Sequence, residues 1–469
     1  MLLSRRPQNL FICHRLLSRA HYSTRLPNVV TDLKNRGLIA NTTSPDIVSH
    51  TESPTAIYCG VDPTARSLHL GNLLTFMGLF HFHIRGHQTI ALVGGATGSI
   101  GDPSGRNSER VPLERDVLDK NVAGIEQQVH RFFHNGALYA ERRGHGNVQV
   151  ATPKVLNNYS WFSSMTALDF LGSVGRYARV NTMLGKDSVR SRLETTQGIS
   201  FTEFSYQLLQ AYDFWYLYKN HDCRIQLGGS DQWGNITAGI DMIGRRQALL
   251  DEQESSPVKP YGITIPLLLT STGEKFGKSA GNAVWLDKSM TSVFDFYQFF
   301  MKTTDNDVGK YLSMFTLFSE DEIKDLLDEH KKNPELRQAQ ESLASEVTEL
   351  VHGLDAVHQA KVATKVLFGE DISNVTGQDI IKAFEHDHRR FSTLEQNKVI
   401  DFGIDQLATL IKATKSKSEA QKLIKAGGMY LNNVRVTDPR QKLTSTDLID
   451  GSVCLLRVGK SSYHAVHIK

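Results

Sequence analysis

His69 and Asn72 stand three residues apart in Ser67-Leu-His-Leu-Gly-Asn72, after the apolar run Tyr58-Cys59-Gly60 and the turn Asp62-Pro63-Thr64. A strand, a turn and a helix start in that order make an anion site. The first amides of a helix lack intrahelical acceptors, and the helix dipole is positive there. Both side chains can then serve one phosphate, and Gly71 lets a flat ring lie against the backbone. A helix-capping role fits the same spacing. Far along the chain, Gly273-Glu-Lys-Phe-Gly-Lys-Ser279 offers Lys275 and Lys278. Three residues separate its glycines where a Walker A loop needs four, so it reads as a lysine loop that meets phosphate charge, or as an exposed basic turn.

Three further segments offer polar groups. Leu92 to Gly105 carries five glycines and ends near Asp102, which can take an ammonium group; its spacing is not that of a dinucleotide fingerprint. Tyr206, Gln210 and Asp213 fall on one face of a helix that is otherwise strongly apolar, so that face needs a partner or a ligand. Gln226-Leu-Gly-Gly-Ser-Asp-Gln-Trp-Gly-Asn235 reads as a strand, a double-glycine turn and a helix. Gly229, Asp231 and Gln232 then lie just past a strand's carboxyl end, where open α/β sheets bind ligands. Asp231 suits a ribose hydroxyl or a helix cap.

The elements that must position these groups alternate. Ile57–Cys59, Thr89–Val93, Val148–Ala151 and Arg224–Leu227 read as strands. Leu70–Arg85, Leu113–Phe133, Thr202–Tyr218 and Ile236–Leu249 read as helices, the third opened by a Ser200/Glu203 capping box. That order predicts a Rossmann-like parallel sheet covered by helices. The strand pattern stops near Lys288, and 288–375 reads as helices, among them Glu320–His330 and Glu341–His352. Residues 376–402 read as a linker. Residues 403–469 form a small α+β unit with a basic helix, Ser418–Lys425, a turn at Asn432-Asn433 and a strand at Val453–Val458.

Charge sharpens this division. The 469 residues carry a net +3, but residues 1–31 hold five arginines and no acid, residues 405–469 carry +6, and the body between them −8. The acid-free start reads as a cleavable mitochondrial targeting peptide, residues 1–28, which places the mature protein in the matrix. A basic tail that touches RNA is the competing reading. No apolar run reaches the roughly 20 residues of a membrane span. Cys13, Cys59, Cys223 and Cys454 are scattered, so no metal site or disulfide framework is expected.

In order and context, the strings Tyr58–Asn72, Leu92–Ser108, Gly229–Gly239 and Lys275-Phe-Gly-Lys-Ser279 closely resemble the tyrosyl-tRNA synthetases, members of class I, over about residues 30–469. The resemblance implies a catalytic domain at 29–287, an α-helical anticodon-binding domain at 288–375 and a C-terminal RNA-binding domain at 403–469. It implies formation of tyrosyl-adenylate from L-tyrosine and ATP, then transfer of tyrosine to the 3′ end of tRNA(Tyr), by a homodimer that meets through Phe162–Leu171 and Phe201. Tyr58 and Asp213 would bind the phenol, Asp102, Tyr206 and Gln210 the ammonium, and Gln226 and Gln232 the rest of the tyrosine. Asp62, Gly71, Gly229 and Asp231 would contact adenosine. Thr64, His69, Asn72, Lys275 and Lys278 would act on the phosphates, with Mg2+ carried by ATP. Lys415, Lys417, Lys422 and Lys425 would meet RNA. The sequence departs from the family at Asn72, where the second signature histidine is expected. A tryptophanyl-tRNA synthetase, or a synthetase-derived RNA-binding or intron-splicing factor, are the alternatives.

Overall fold

The computed structural model describes residues 26–469 apart from 106–107, 146–151, 251–257, 268, 270–277, 280–281, 369–371, 388, 401 and 460–461. The expected leader therefore lies outside the described residues as far as residue 25. Strands β1 (Asn41–Thr42), β2 (Ala56–Val61), β3 (Gln88–Val93), β4 (Lys154–Asn157), β5 (Cys223–Gly229) and β6 (Tyr261–Ile265) form one sheet in the order β1-β6-β5-β2-β3-β4. All neighbours are parallel except β1 with β6. The chain winds outward from β2 through β3 to β4, then returns to β5 on the other side of β2. The crevice at the carboxyl ends of β2 and β5 is therefore the topological switch point.

The strands are apolar because helices cover both faces. Alternation along β2 sends Ile57 and Cys59 to one layer, with the helix Leu70–His83 and the helix Arg115–Ala140. Tyr58 goes to the other layer, with Trp161, Phe214 and Trp215. Three expected strands are present. The fourth is β4, paired with Ile90–Val93; the expected 148–151 lies outside the described residues. As a short edge strand between Lys154 and Asn157, β4 carries little apolar pattern of its own.

A two-stranded hairpin, β7 (Lys278–Ser279) and β8 (Asn282–Ala283), leads into five helices at Val293–Met301, Asp305–Phe315, Glu320–His330, Gln338–His352 and Leu354–Phe368. Their apolar faces share one core with the first sheet layer: Phe76, Phe80 and Phe132 pack in the same cluster as Phe300, Phe315 and Leu350. Arg142 reaches Glu346 and Glu349 at 3.1 and 2.6 Å across this seam. The boundary near 287 is a change of secondary structure within a continuous core.

The expected linker is folded. Residues 376–402 contain a helix, Gly377–Phe384, then β9 (Phe391–Leu394) and a short helix, Gln396–Val399. With β10 (Met429–Leu431), β11 (Val434–Arg435), β12 (Val453–Val458) and β13 (Ser462–Ile468), β9 completes a second sheet in the order β11-β10-β12-β13-β9. It pairs in parallel with β13, a partner some 70 residues away that no local pattern reveals. One face of this sheet packs on its own helices, Ile404–Leu410 and Lys417–Lys425. The other meets Val362 and Val366 of the helix Leu354–Phe368 and Ile380 and Phe384 of the helix Gly377–Phe384, so the basic unit is seated against both. The expected turn is a β10–β11 hairpin, with Asn432 and Asn433 at φ 48° and 67°. That left-handed backbone is why asparagines occupy it.

Candidate active site

The helix Phe201–Asn220 lays its polar stripe over the switch point. Ser200 caps it, its Oγ accepting the Glu203 N–H at 3.2 Å. The reciprocal half of the expected box is not made, because the buried Glu203 carboxylate is held by Arg192 at 2.8 and 3.0 Å. Further along the helix, Asp213 is buried, and its carboxylate accepts from Asn158 Nδ2 at 3.0 Å and from the Trp161 indole at 2.9 Å. Burial pushes its pKa up to about 8 against these two hydrogen bonds, with the Asp62 charge adding to the rise. Tyr58 and Gln226, opposite each other on β2 and β5, are buried on the same side of the sheet. The Tyr58 hydroxyl and Gln226 Oε1 are buried without a hydrogen-bond partner. Each such group costs about 1–3 kcal/mol, so a ligand that satisfies both gains that much.

The other expected polar residues form two linked groups. Asp102 Oδ2 accepts from Gln232 Nε2 at 2.6 Å, and Gln232 Oε1 accepts from Gln210 Nε2 at 3.1 Å. Asn235 Nδ2 donates to Gln210 Oε1 at 3.0 Å and ties this set to the next helix. Tyr206 stands apart from the set: its hydroxyl donates to Asp62 Oδ2 at 2.8 Å, while Thr97 donates to Asp62 Oδ1 at 2.7 Å. Burial raises the Asp62 pKa to about 6. Gly94 sits so close to Asp62 and Thr97 that a Cβ would fall 2.2 Å from the carboxylate. The glycine loop is thus shaped partly by its own protein neighbours.

At the helix start, the capping role is realised. His69 Nδ1 accepts from the Asn72 N–H at 3.2 Å, and Asn72 Oδ1 accepts from the His69 N–H at 3.1 Å. With Nδ1 accepting, the ring proton lies on Nε2, and any donation from Asn72 to a ligand falls to its Nδ2 group. A Cβ on Gly71 would lie 2.8 Å from the His69 ring, so glycine keeps that ring in place. Lys275 lies outside the described residues. The backbone of Lys278 is described, in β7, and the chain after that hairpin returns to the helix start: Leu70 N–H donates to Val284 O at 3.1 Å, and Leu286 N–H to Leu68 O at 2.8 Å. Val284 and Leu286, over 200 residues away in sequence, are therefore neighbours of the helix start. Thr64 and Asp231 are exposed at the mouth of the crevice, and Asp231 Oδ1 lies 2.6 Å from where a Gly229 Cβ would be.

Sequence reasoning missed Asn158, Trp161, Thr97, Asn235 and Arg110. Asn158 is fully buried and joins three parts of the site, accepting from the Ala96 N–H at 2.7 Å and donating to Thr97 Oγ1 and Asp213. Arg110 packs across Gly101 and faces Asp62 electrostatically. Thr97 and Asn235 lie inside motifs already singled out. Asn158 and Trp161 follow β4, in a segment whose strand was placed elsewhere.

Residues 50–369 match the family described as tRNA synthetases class I (W and Y), and residues 384–466 match the tyrosine–tRNA ligase SYY-like C-terminal domain. The chain is 40% identical to the mitochondrial tyrosine–tRNA ligase of Saccharomyces cerevisiae, covering 95% of this chain and 90% of that one. It is 43% identical to the chloroplastic/mitochondrial tyrosine–tRNA ligase of Arabidopsis thaliana, over 94% and 84%. This chain belongs to the class I tyrosyl-tRNA synthetases. A crystal structure of a C-terminally truncated mitochondrial tyrosyl-tRNA synthetase from Aspergillus nidulans superimposes with a TM-score of 0.67 at 37% identity, covering 74% of this chain and 95% of that one.

The synthetase's four expected RNA contacts are all exposed in the C-terminal unit. Lys417, Lys422 and Lys425 lie on the helix Lys417–Lys425, whereas Lys415 precedes its Ser416 cap and donates its backbone N–H to Glu419 at 2.7 Å.

Proposed function

We propose that L-tyrosine lies at the switch point with its phenol between Tyr58 and Asp213 and its ammonium at Asp102, Gln210 and Tyr206, with Gln226 and Gln232 completing the pocket. The observation that carries this reading is the pair of unpartnered buried polar atoms, Tyr58 Oη and Gln226 Oε1, beside a carboxylate. A phenylalanine would leave the Tyr58 hydroxyl unpaired, and the handicap for a substrate lacking a hydroxyl in this enzyme class is a known ~10⁵-fold.

The chain is a tyrosine–tRNA ligase. The tyrosine carboxylate, already ionised, attacks the α-phosphorus of ATP; the bond to the bridging oxygen breaks and pyrophosphate leaves, so no general base is required. The work is positioning two anions and stabilising charge as it moves to pyrophosphate. We assign that stabilisation to Thr64, His69, Asn72, Lys275 and Lys278, and the adenosine to Asp62, Gly71, Gly229 and Asp231. Mg2+ enters with the ATP phosphates as part of the substrate. In the second step a terminal ribose hydroxyl of tRNA(Tyr) attacks the tyrosyl carbonyl and AMP departs.

The anticodon stem falls to the helical region and the tRNA backbone to Lys415, Lys417, Lys422 and Lys425. Exposed Leu168, Leu171 and Phe201 support a homodimer through that surface. The acid-free leader and the two organellar relatives support action in the mitochondrial matrix; a reporter carrying residues 1–30 that stayed in the cytosol would refute this. Pyrophosphate exchange on protein lacking residues 1–28 is the central test. It should depend on tyrosine, and exchange driven by tryptophan instead would overturn the assignment.

A further inference from the structure

On the sheet face away from the unit's own helices, four side chains stand in one row across four strands. Arg435 of β11 is opposite Tyr430 of β10, Tyr430 is opposite Arg457 of β12, and Arg457 is opposite Tyr463 of β13. The guanidinium of Arg457 covers the Tyr430 ring at 3.8 Å and lies 5.6 Å from the Tyr463 ring. At the inner end Tyr463 is buried against the helical region; outward, Tyr430 is half-buried and Arg435 is exposed. Arg457 Nε and the Tyr463 hydroxyl are buried without a hydrogen-bond partner.

We infer that this Arg435–Tyr430–Arg457–Tyr463 row is a stacking site for an unpaired base of a bound RNA. An alternation of guanidinium and phenol planes that only stabilised the sheet would be expected to carry acidic counter-ions. Among the described residues neither arginine forms an ion pair, although the unit contains acidic side chains. Two uncompensated positive charges interleaved with aromatic rings match a ligand that carries both negative charge and flat rings. RNA single strands are read by stacking on tyrosine and arginine planes, which here are accessible at the outer, Arg435–Tyr430 end of the row. The strand that carries Tyr430 follows the basic helix in the chain, separated from Lys425 only by Ala426-Gly427-Gly428, and Arg435 lies over Gly427, where φ is +72°. The helix lysines supply salt-sensitive attraction to phosphates, and the row supplies stacking on a base.

The inference rests on the reading that the C-terminal unit meets RNA, and the test separates the two. Binding of a tRNA(Tyr) transcript to the full chain is titrated at several salt concentrations. Tyr430→Ala should weaken binding about 10-fold with an unchanged salt slope, and Tyr430→Phe should restore it, because stacking carries no charge. Arg435→Gln should lower the slope by about one unit. Tyrosine-dependent pyrophosphate exchange should stay at the native rate throughout. If Lys417→Ala and Lys422→Ala weaken binding while Tyr430→Ala and Arg435→Gln bind as the native chain does, the row is a structural ladder and the inference fails alone. If the lysine variants also bind normally, the reading beneath it fails. Ultraviolet cross-linking of the transcript to the native chain needs no variant: a cross-link at Tyr430 supports the site, and cross-links confined to other tyrosines refute it.

Discussion

The crevice and the C-terminal unit both present polar groups to a charged ligand, and they do so in opposite ways. In the crevice Asp62, Asp102 and Asp213 are held by hydrogen bonds of 2.6–3.0 Å from Thr97, Tyr206, Gln232, Asn158 and Trp161, and desolvation lifts the Asp62 and Asp213 carboxyls above their usual range. In the C-terminal unit Lys415, Lys417, Lys422 and Lys425 stand in solvent. The cost of desolvation is met on folding in the first region, so each fixed group acts strongly and selectively on a small ligand. The second leaves its charges hydrated, and each contributes weakly, additively and in proportion to counterion release. One region discriminates; the other attracts.

That contrast predicts a descending series of effects. Asp213→Ala should lower tyrosine-dependent pyrophosphate exchange on the order of 1000-fold, since it removes the acceptor of a buried charged hydrogen bond; near-native exchange would take Asp213 out of the pocket. Asn158→Ala touches no substrate, yet it frees the Ala96 amide and one Asp213 oxygen. It should cost about 10- to 100-fold in kcat/KM for tyrosine while leaving tRNA affinity unchanged.

The third effect concerns pH. With its folded pKa raised to about 8, Asp213 is mostly protonated at pH 7 in the free enzyme. A phenol donating to it favours the ionised form, so tyrosine affinity should rise with pH, by up to about 10-fold between pH 7 and 8.5, and then level off. The linked stability runs the other way: a raised carboxyl contributes fully below pH 3.8 and loses its contribution as pH climbs toward 8. Calorimetric titration with tyrosine at several pH values tests the first statement, and an affinity that fell with pH would reverse the assigned proton. Smallest of all, single Lys417→Ala, Lys422→Ala or Lys425→Ala substitutions should each weaken tRNA binding a few-fold and lower its salt slope by about one unit, with tyrosine activation untouched. Equal losses in both steps would erase the division between the regions.

Much of the synthetase was legible before the fold was known. Helical and strand periodicity located β2, β3 and β5, and the inward stripe Tyr206/Gln210/Asp213 followed from the apolarity of its helix. What escaped had weak local pattern. β4 and β9 are short edge strands stabilised by partners distant in sequence, and the charged run around His386, Arg389 and Arg390 made a folded segment resemble a tether. Asn158 and Trp161 have no motif, because their role is to hold Asp213, 52–55 residues away.

By itself, then, the sequence determined which elements exist, the order of the motifs and the split between an acidic body and a basic tail, because local periodicity and charge need no partner to be read. Tertiary structure alone decided that the return from β4 to β5 opens a crevice beside β2, that the hairpin after Lys278 comes back to Leu68–Leu70, and that residues 376–402 complete the second sheet. It also converted His69 and Asn72 into a reciprocal cap and set two arginines and two tyrosines in one row. These are encounters between groups far apart in the chain. Their energies depend on burial and on hydrogen-bond geometry, which exist only once the strands have paired.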